Sequence, residues 1–496
     1  MLRILGSAKT LCDSLTRRDL LRVGGAGLLS LGLGSAMPRG AASEIGGSFG
    51  RAKRIILLYL YGAAAQHETF DPKPDAPAEI RGDFKPIATK VPGLSICEHL
   101  PKLADISDRL TVIRSMTHPY NIHSAAYTLT GIDQVDIPME TNSRDSRHWP
   151  CFGSVLDYLA ERRNPTAPPP EIPRNLGLPF RFSSRLGGNG RGGPYGGFLG
   201  RAYDPVWTEF QGQATHDFPR WQGNVDKVVR DPYGGITPES RFVVSQAAQL
   251  GEQMTLDRLS QRRSLLDQLT DEQRRLNRAV DSGGLDRHRE MAFALMTSEK
   301  IRNALDVDRE PLATRERYGM SLFGQATLAG RRLLEAGAPV VSVFWDEFNS
   351  VNSSWDTHFD HYDRLKKELL PGLDSALSSL VLDLEQRGML DDTLVMCLTE
   401  HGRTPKLSLT ARGVGREHWS ETYCNVLAGG GIARGRVIGA SDSQGAFVKD
   451  QPISPKDILA TMYHLVGVDH EQTIPDRLGR PLPLVAKGEV IRAALA

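Results

Sequence analysis

The chain has 496 residues, with Lys+Arg 60 against Asp+Glu 59 and a formal net charge of +1; 40% of it is hydrophobic and 24% charged. This is too apolar for disorder, and too neutral for a general nucleic-acid binder, which needs a basic surface to displace counterions. The same figures exclude a fibre, a membrane bundle and a disulfide-dense miniprotein, and leave either about three domains or one large α/β unit with insertions.

Residues 1–42 read as an address. Arg17-Arg18 precede a short Gly/Leu stretch, Val23–Leu33, and small residues lead on to Ala42. This is the layout of an export signal, and the paired arginines resemble a twin-arginine signal, which implies the twin-arginine export machinery as a partner and a periplasmic or extracellular location. The stretch is shorter than the about 20 residues of a spanning helix, so no permanent membrane span is expected in the mature chain. The alternative is an amphipathic helix containing a chance Arg pair.

From there the apolar pattern alternates. Arg54–Tyr61 is a continuous apolar run, as in a strand covered on both faces, and Leu110–Ser115 is a second, preceded by a helical pattern over Leu100–Ser107. Cys151–Arg162 has helical periodicity, Pro165–Pro179 is a proline-rich connection and Gly187–Gly200 a glycine loop. Two charged amphipathic helical patterns fill Glu239–Val307, broken at Gly283-Gly284. Then follow a helix over Ser321–Ala336, a buried strand at Pro339–Trp345, a long helix over Tyr362–Arg387, strands at Thr393–Thr399 and Thr422–Ala428, and a helix at Pro455–Val466. This predicts an α/β fold with a mostly parallel central sheet and helices on both faces. The main domain spans 52–484, with 184–307 an insertion or cap and 485–496 a C-terminal tail. Cys97, Cys151, Cys397 and Cys424 fit either two disulfides or buried free thiols.

Ligands of open α/β sheets bind beyond the carboxyl ends of the strands. Each apolar run here is followed by metal-capable or nucleophilic residues. His67, Glu68 and Asp71 follow the first, and His118, Asn121, His123 and Ser124 the second. Asp346, Glu347, Asp356, His358, Asp360 and His361 follow the third, then Glu400, His401 and Arg403, with His418 before the last strand. Carboxylates and imidazoles without thiolates suit Zn, Mn, Fe, Mg or Ca, and this many groups could hold two ions. Ser124 opens the helical stretch Ser124-Ala125-Ala126-Tyr127-Thr128, either as a plain N-cap or as a nucleophile. The Gly188-x-Gly190-x-x-Gly193 spacing is followed by Pro194 and reads as a loop; the charges of Arg258–Arg278 read as a solvated face.

Further motifs carry a resemblance. Thr69-Phe70-Asp71-Pro72-Lys73-Pro74, Trp355-Asp356-Thr357-His358, Gly388-Met389-Leu390-Asp391-Asp392, Glu400-His401-Gly402-Arg403-Thr404-Pro405, Gly415-Arg416-Glu417-His418-Trp419 and Ala428-Gly429-Gly430-Gly431 occur in that order. Together they resemble an exported, sulfatase-like domain-of-unknown-function family (DUF1501), which belongs by fold to the alkaline phosphatase superfamily. The resemblance implies two divalent metal ions (Zn, Mn, Ca or Mg), one held by Asp356, His358 and His418, with His361 able to replace His358. The other would be held by Glu68, Glu400 and His401. It implies Ser124 as the nucleophile and Arg403 on the oxygens of an anionic ester substrate. Glu68 stands where the family more often has Asp, Ala65 where it often has Ser, and His401 where it more often has Phe. No Cys-x-Pro-x-Arg or Ser-x-Pro-x-Arg occurs, as the formylglycine route of sulfatases would need, and no Gly-x-Ser-x-Gly or P-loop. The expected activity is metal-dependent hydrolysis of phosphate or sulfate esters. The alternatives are a catalytically silent exported binding or surface protein on the same fold, and an assembly component that uses 184–307 for contacts.

Overall fold

In the computed structural model, the described residues are 47–496 apart from 134–139, 144, 166, 168–169, 186–189, 220–227, 245–290, 292–293, 296–297 and 349–351. The leader, the run Arg258–Arg278 and the Gly283-Gly284 break lie outside them. No helix among the described residues is long and apolar enough to cross a membrane.

The main-sheet strands are β1 (Arg54–Leu60), β2 (Leu110–Met116), β3 (Asn175–Leu178), β4 (Val206–Gln211), β5 (Arg241–Val244), β6 (Val340–Trp345), β7 (Thr393–Leu398), β8 (Tyr423–Ala428) and β9 (Arg436–Ile438). They form a 9-stranded sheet in the order β9-β2-β8-β7-β1-β6-β3-β4-β5. Parallel pairing joins β7-β1-β6-β3-β4 and β9-β2; β8 runs antiparallel to both β2 and β7, and β5 antiparallel to β4. The fold is therefore the expected α/β arrangement around a mostly parallel sheet.

Alternation along β1 shows why its run is apolar throughout. Ile56, Leu58 and Leu60 enter one core and Ile55, Leu57 and Tyr59 the other, one on each face of the sheet. Helices α3 (Leu322–Glu335) and α4 (Leu370–Gln386) contribute to the first core. The second takes residues of α1 (Ala125–Thr130), α2 (Phe152–Arg163) and α5 (Pro455–Leu465). The long helix expected over Tyr362–Arg387 is divided: a turn at His361–Arg364 and a π-helical turn at Leu365–Leu369 precede α4. Pro371, without an N–H, sits at the start of α4, where a regular ladder could not continue through it.

Sequence reading missed β3 to β5, β9 and the ribbon of Ala214–Pro219 with Val228–Ile236. β4 lies inside 184–307 yet hydrogen-bonds to β3, so that segment contributes strands to the main sheet. Cys97, Cys151, Cys397 and Cys424 are buried free thiols; burial pushes Cys397 up to about 12.

Candidate metal centre

The parallel strands β1, β6 and β7, and β2 on the far side of β8, all end at one edge of the sheet. Because β8 runs the other way, the segment before it returns to that edge, and this is how His418 joins residues that follow the other strands. A two-residue ribbon then fixes it, with Arg403 opposite His418 and Gly402 opposite Trp419. The loops approach one another closely. A Cβ at Gly62 (φ 99°) would collide with the Asp356 backbone, and one at Gly415 with the His358 carbonyl.

Two groups of three donor atoms lying within 4.8 Å of one another occur among the described residues: Asp356–His358–His418 and His123–His401–His418. In the first, His358 Nε2 is 3.0 Å from Asp356 Oδ1, His418 Nε2 is 3.3 Å from the same oxygen, and the two Nε2 atoms are 3.2 Å apart. Ligands at about 2.0–2.1 Å from a tetrahedral ion are about 3.3–3.4 Å from each other, so this triangle has the dimensions of one face of a coordination shell. His123 Nε2 is 3.5 Å from Asp356 Oδ2, and the His123 ring lies 4.4 Å from that of His418.

Three of the imidazoles are held at Nδ1. His123 bonds Glu400 Oε1 at 3.0 Å, His401 bonds the Gly402 carbonyl at 2.8 Å and His358 bonds Glu417. For His401 and His358, Nδ1–H donation leaves the Nε2 lone pair available, as metal-binding histidines require. The His401 Nε2 and Glu400 Oε2 atoms are buried without any hydrogen-bond partner. Buried polar atoms are almost always satisfied, so these two orphans point to a missing ligand. Burial, and then the neighbouring His123, His418 and Arg403, hold His401 far below the usual imidazole pKa, so it is a free base. Burial also pushes His123 down, but its hydrogen bonds to Asp356 and Glu400 override this and lift it to about 9. Burial would raise Asp356; Arg403 and the surrounding histidines hold it well below the carboxylate range.

Asp356, His358, His418 and His401 thus meet as donors, and Glu400 adjoins them through His123. Glu68 does not. It lies within a separate charge cluster, where Arg416 donates to its Oε1 at 2.6 and 3.1 Å and His361 Nε2 faces its Oε2 at 3.2 Å. Neither Glu68 nor His361 enters a donor group. Arg403 is fully buried, and its guanidinium is turned to the carbonyls of Gly62, Ala63, Trp355 and Arg416 and to Asp356, where sequence reading expected ester oxygens. Ser124 occupies the N-cap position of α1 without a side-chain capping bond, and its Oγ is buried and unpartnered. His123, which sequence reading left outside the ligand set, lies in a donor group with His401 and His418. It already stood among the residues after Leu110–Ser115, but nothing in its local sequence marks it as a ligand.

A family model described as a protein of unknown function (DUF1501) matches residues 52–495. A sulfatase from Pseudoalteromonas sp. aligns at a TM-score of 0.39 and 13% identity, over 93% of this chain and 77% of that one. A phosphonate monoester hydrolase from Silicibacter pomeroyi aligns at 0.33 and 12%, over 89% and 76%. No curated protein matches the chain.

Proposed function

This chain belongs to the DUF1501 family, and we propose that it is an exported, metal-dependent hydrolase of phosphate or sulfate esters. The observation that carries the reading is the unpartnered, buried His401 Nε2 beside a triangle of donors with the dimensions of a metal site. Asp356, His358 and His418 would hold a divalent ion, with His123 and His401 beside them. A bound divalent ion would supply Lewis-acid stabilisation of negative charge on the ester oxygens.

The chain's own residues supply the rest. Arg403 and the carbonyl-lined pocket around it hold Asp356 ionised and fixed in place. Ser124 is the nucleophile in this reading, supported by a hydroxyl that has no structural hydrogen bond to lose. Its Oγ forms a bond to phosphorus or sulfur as the bond to the ester oxygen opposite it breaks, and that oxygen leaves as the alcohol with the proton the hydroxyl gives up. Water then cleaves the seryl ester, restoring the hydroxyl and releasing phosphate or sulfate. The twin-arginine-like pair Arg17-Arg18 supports export.

The test is turnover of small phosphate and sulfate monoesters by metal-loaded protein. Activity that is abolished in Ser124→Ala while bound metal is retained supports the reading. Metal-loaded wild type that hydrolyses neither ester class rejects it in favour of the binding-protein alternative, which the full burial of Ser124 favours.

A further inference from the structure

We propose that the centre takes one ion per chain, that this ion is a borderline transition metal in preference to Mg or Ca, and that Glu417 and Glu400 are positioning residues that aim imidazoles at it. The proposal deepens the hydrolase reading and rests on it only for the presence of a metal.

The count follows from His418. Both donor groups include it. A neutral imidazole has a single acceptor nitrogen, so His418 can complete one group or the other but not both. The Arg403 guanidinium on Asp356 also adds a fixed positive charge, which opposes a second dication in the same space. Glu68, the carboxylate that sequence reading assigned to a second ion, is bound to Arg416.

The choice of metal follows from the donors. Asp356–His358–His418 offers two imidazoles and one carboxylate and His123–His401–His418 three imidazoles, so either group is nitrogen-rich and suits Zn, Fe, Ni or Cu. Mg and Ca take oxygen ligands, and Ca needs about six to eight of them. The separations of 3.0–3.3 Å within the Asp356–His358–His418 triangle also match an ion with short bonds.

Aiming follows from the second nitrogen of each ring. Glu400 Oε1 accepts from the Gly62 N–H at 2.6 Å and lies 3.0 Å from His123 Nδ1, so it is locked to the backbone and orients that ring. Glu417 holds His358 Nδ1 from outside, with half of its side chain exposed (50%). That exposure makes Glu417 the better residue to test, because truncating it opens no core.

The experiment is equilibrium dialysis of metal-free full-length protein against equimolar Zn, Mn, Mg and Ca, with bound metal counted by mass spectrometry. Affinity is then measured by chelator competition for wild type, Glu417→Ala and Glu417→Gln. The expected result is close to one transition-metal ion per chain, not displaced by excess Mg or Ca. Glu417→Ala weakens affinity about 10–100-fold with an unchanged apo melting temperature, as for other outer-shell partners. Glu417→Gln, whose amide oxygen still accepts from Nδ1, recovers most of the loss. Two ions per chain, displacement by Mg or Ca, or wild-type affinity in Glu417→Ala would each overturn the proposal while leaving a metal hydrolase possible. Protein that binds no ion would overturn both readings together, so the two failures are distinguishable.

Discussion

Two clusters at one edge of the sheet are built from the same residue types and come out differently. Around Glu68, a carboxylate, an imidazole and a guanidinium neutralise one another, and Arg416 spends its remaining donors on the carbonyls of Ile80, Thr404 and Pro405. Around Asp356, the arginine shares Oδ1 with His358 and His418, His123 faces Oδ2, and His401 joins His123 and His418. In the first cluster the two atoms left without a hydrogen bond, Glu68 Oε2 and His361 Nε2, face each other at 3.2 Å. In the second, donor atoms converge in threes and His401 Nε2 is left without a hydrogen bond.

The largest effect that would separate the two is on folding. Glu68→Ala strands Arg416 as an uncompensated buried charge and should cost about 3–5 kcal/mol in urea denaturation, with bound metal unchanged. Loss of metal in that variant would break the comparison. Next, His418→Ala removes a donor common to both groups; chelator competition should show affinity falling by about 100-fold or more, about 2.7 kcal/mol or more, with a smaller loss of stability than in Glu68→Ala.

A third prediction concerns pH. Burial raises the Glu68 carboxyl, but Arg416 and His361 more than offset this and hold it well below the usual range. A depressed carboxylate binds its proton less tightly when folded, so its contribution is present above the unfolded value of about 4.3 and is lost as pH falls below it. Unfolding free energies measured from pH 6 down to pH 3 should therefore fall less steeply in Glu68→Gln than in wild type. An equal slope would mean that Glu68 is not held by Arg416. The smallest effect belongs to His361→Gln, which removes one partner of Glu68 and should cost about 1 kcal/mol with metal affinity at the wild-type level.

Much of the frame was legible because burial on both faces writes itself as continuous apolar runs. Arg54–Tyr61, Leu110–Ser115, Pro339–Trp345, Thr393–Thr399 and Thr422–Ala428 each coincide with a main-sheet strand to within a residue or two. β3 was hidden by its brevity and by Gly177, which leaves room for the Trp207 ring. Within the centre, Asp356, His358, His401 and His418 could be named because they follow or precede those runs at the ligand-binding edge. That Glu68 lies beside Arg416 and His361, and His123 beside His401 and His418, was not legible. It depends on where Arg416 reaches, a three-dimensional outcome that the spacing of Glu68 from its strand does not encode. The direction of β8 was likewise silent in sequence, yet it is what returns His418 to the site.

The most direct test of the account is anomalous diffraction at the absorption edge of the metal, from crystals of protein loaded with it. The account predicts one peak per chain, flanked by an Asp356 oxygen and the Nε2 atoms of His358 and His418. A peak between Glu68 and His361, or no ordered metal beside Asp356 in protein shown to carry one, would contradict it.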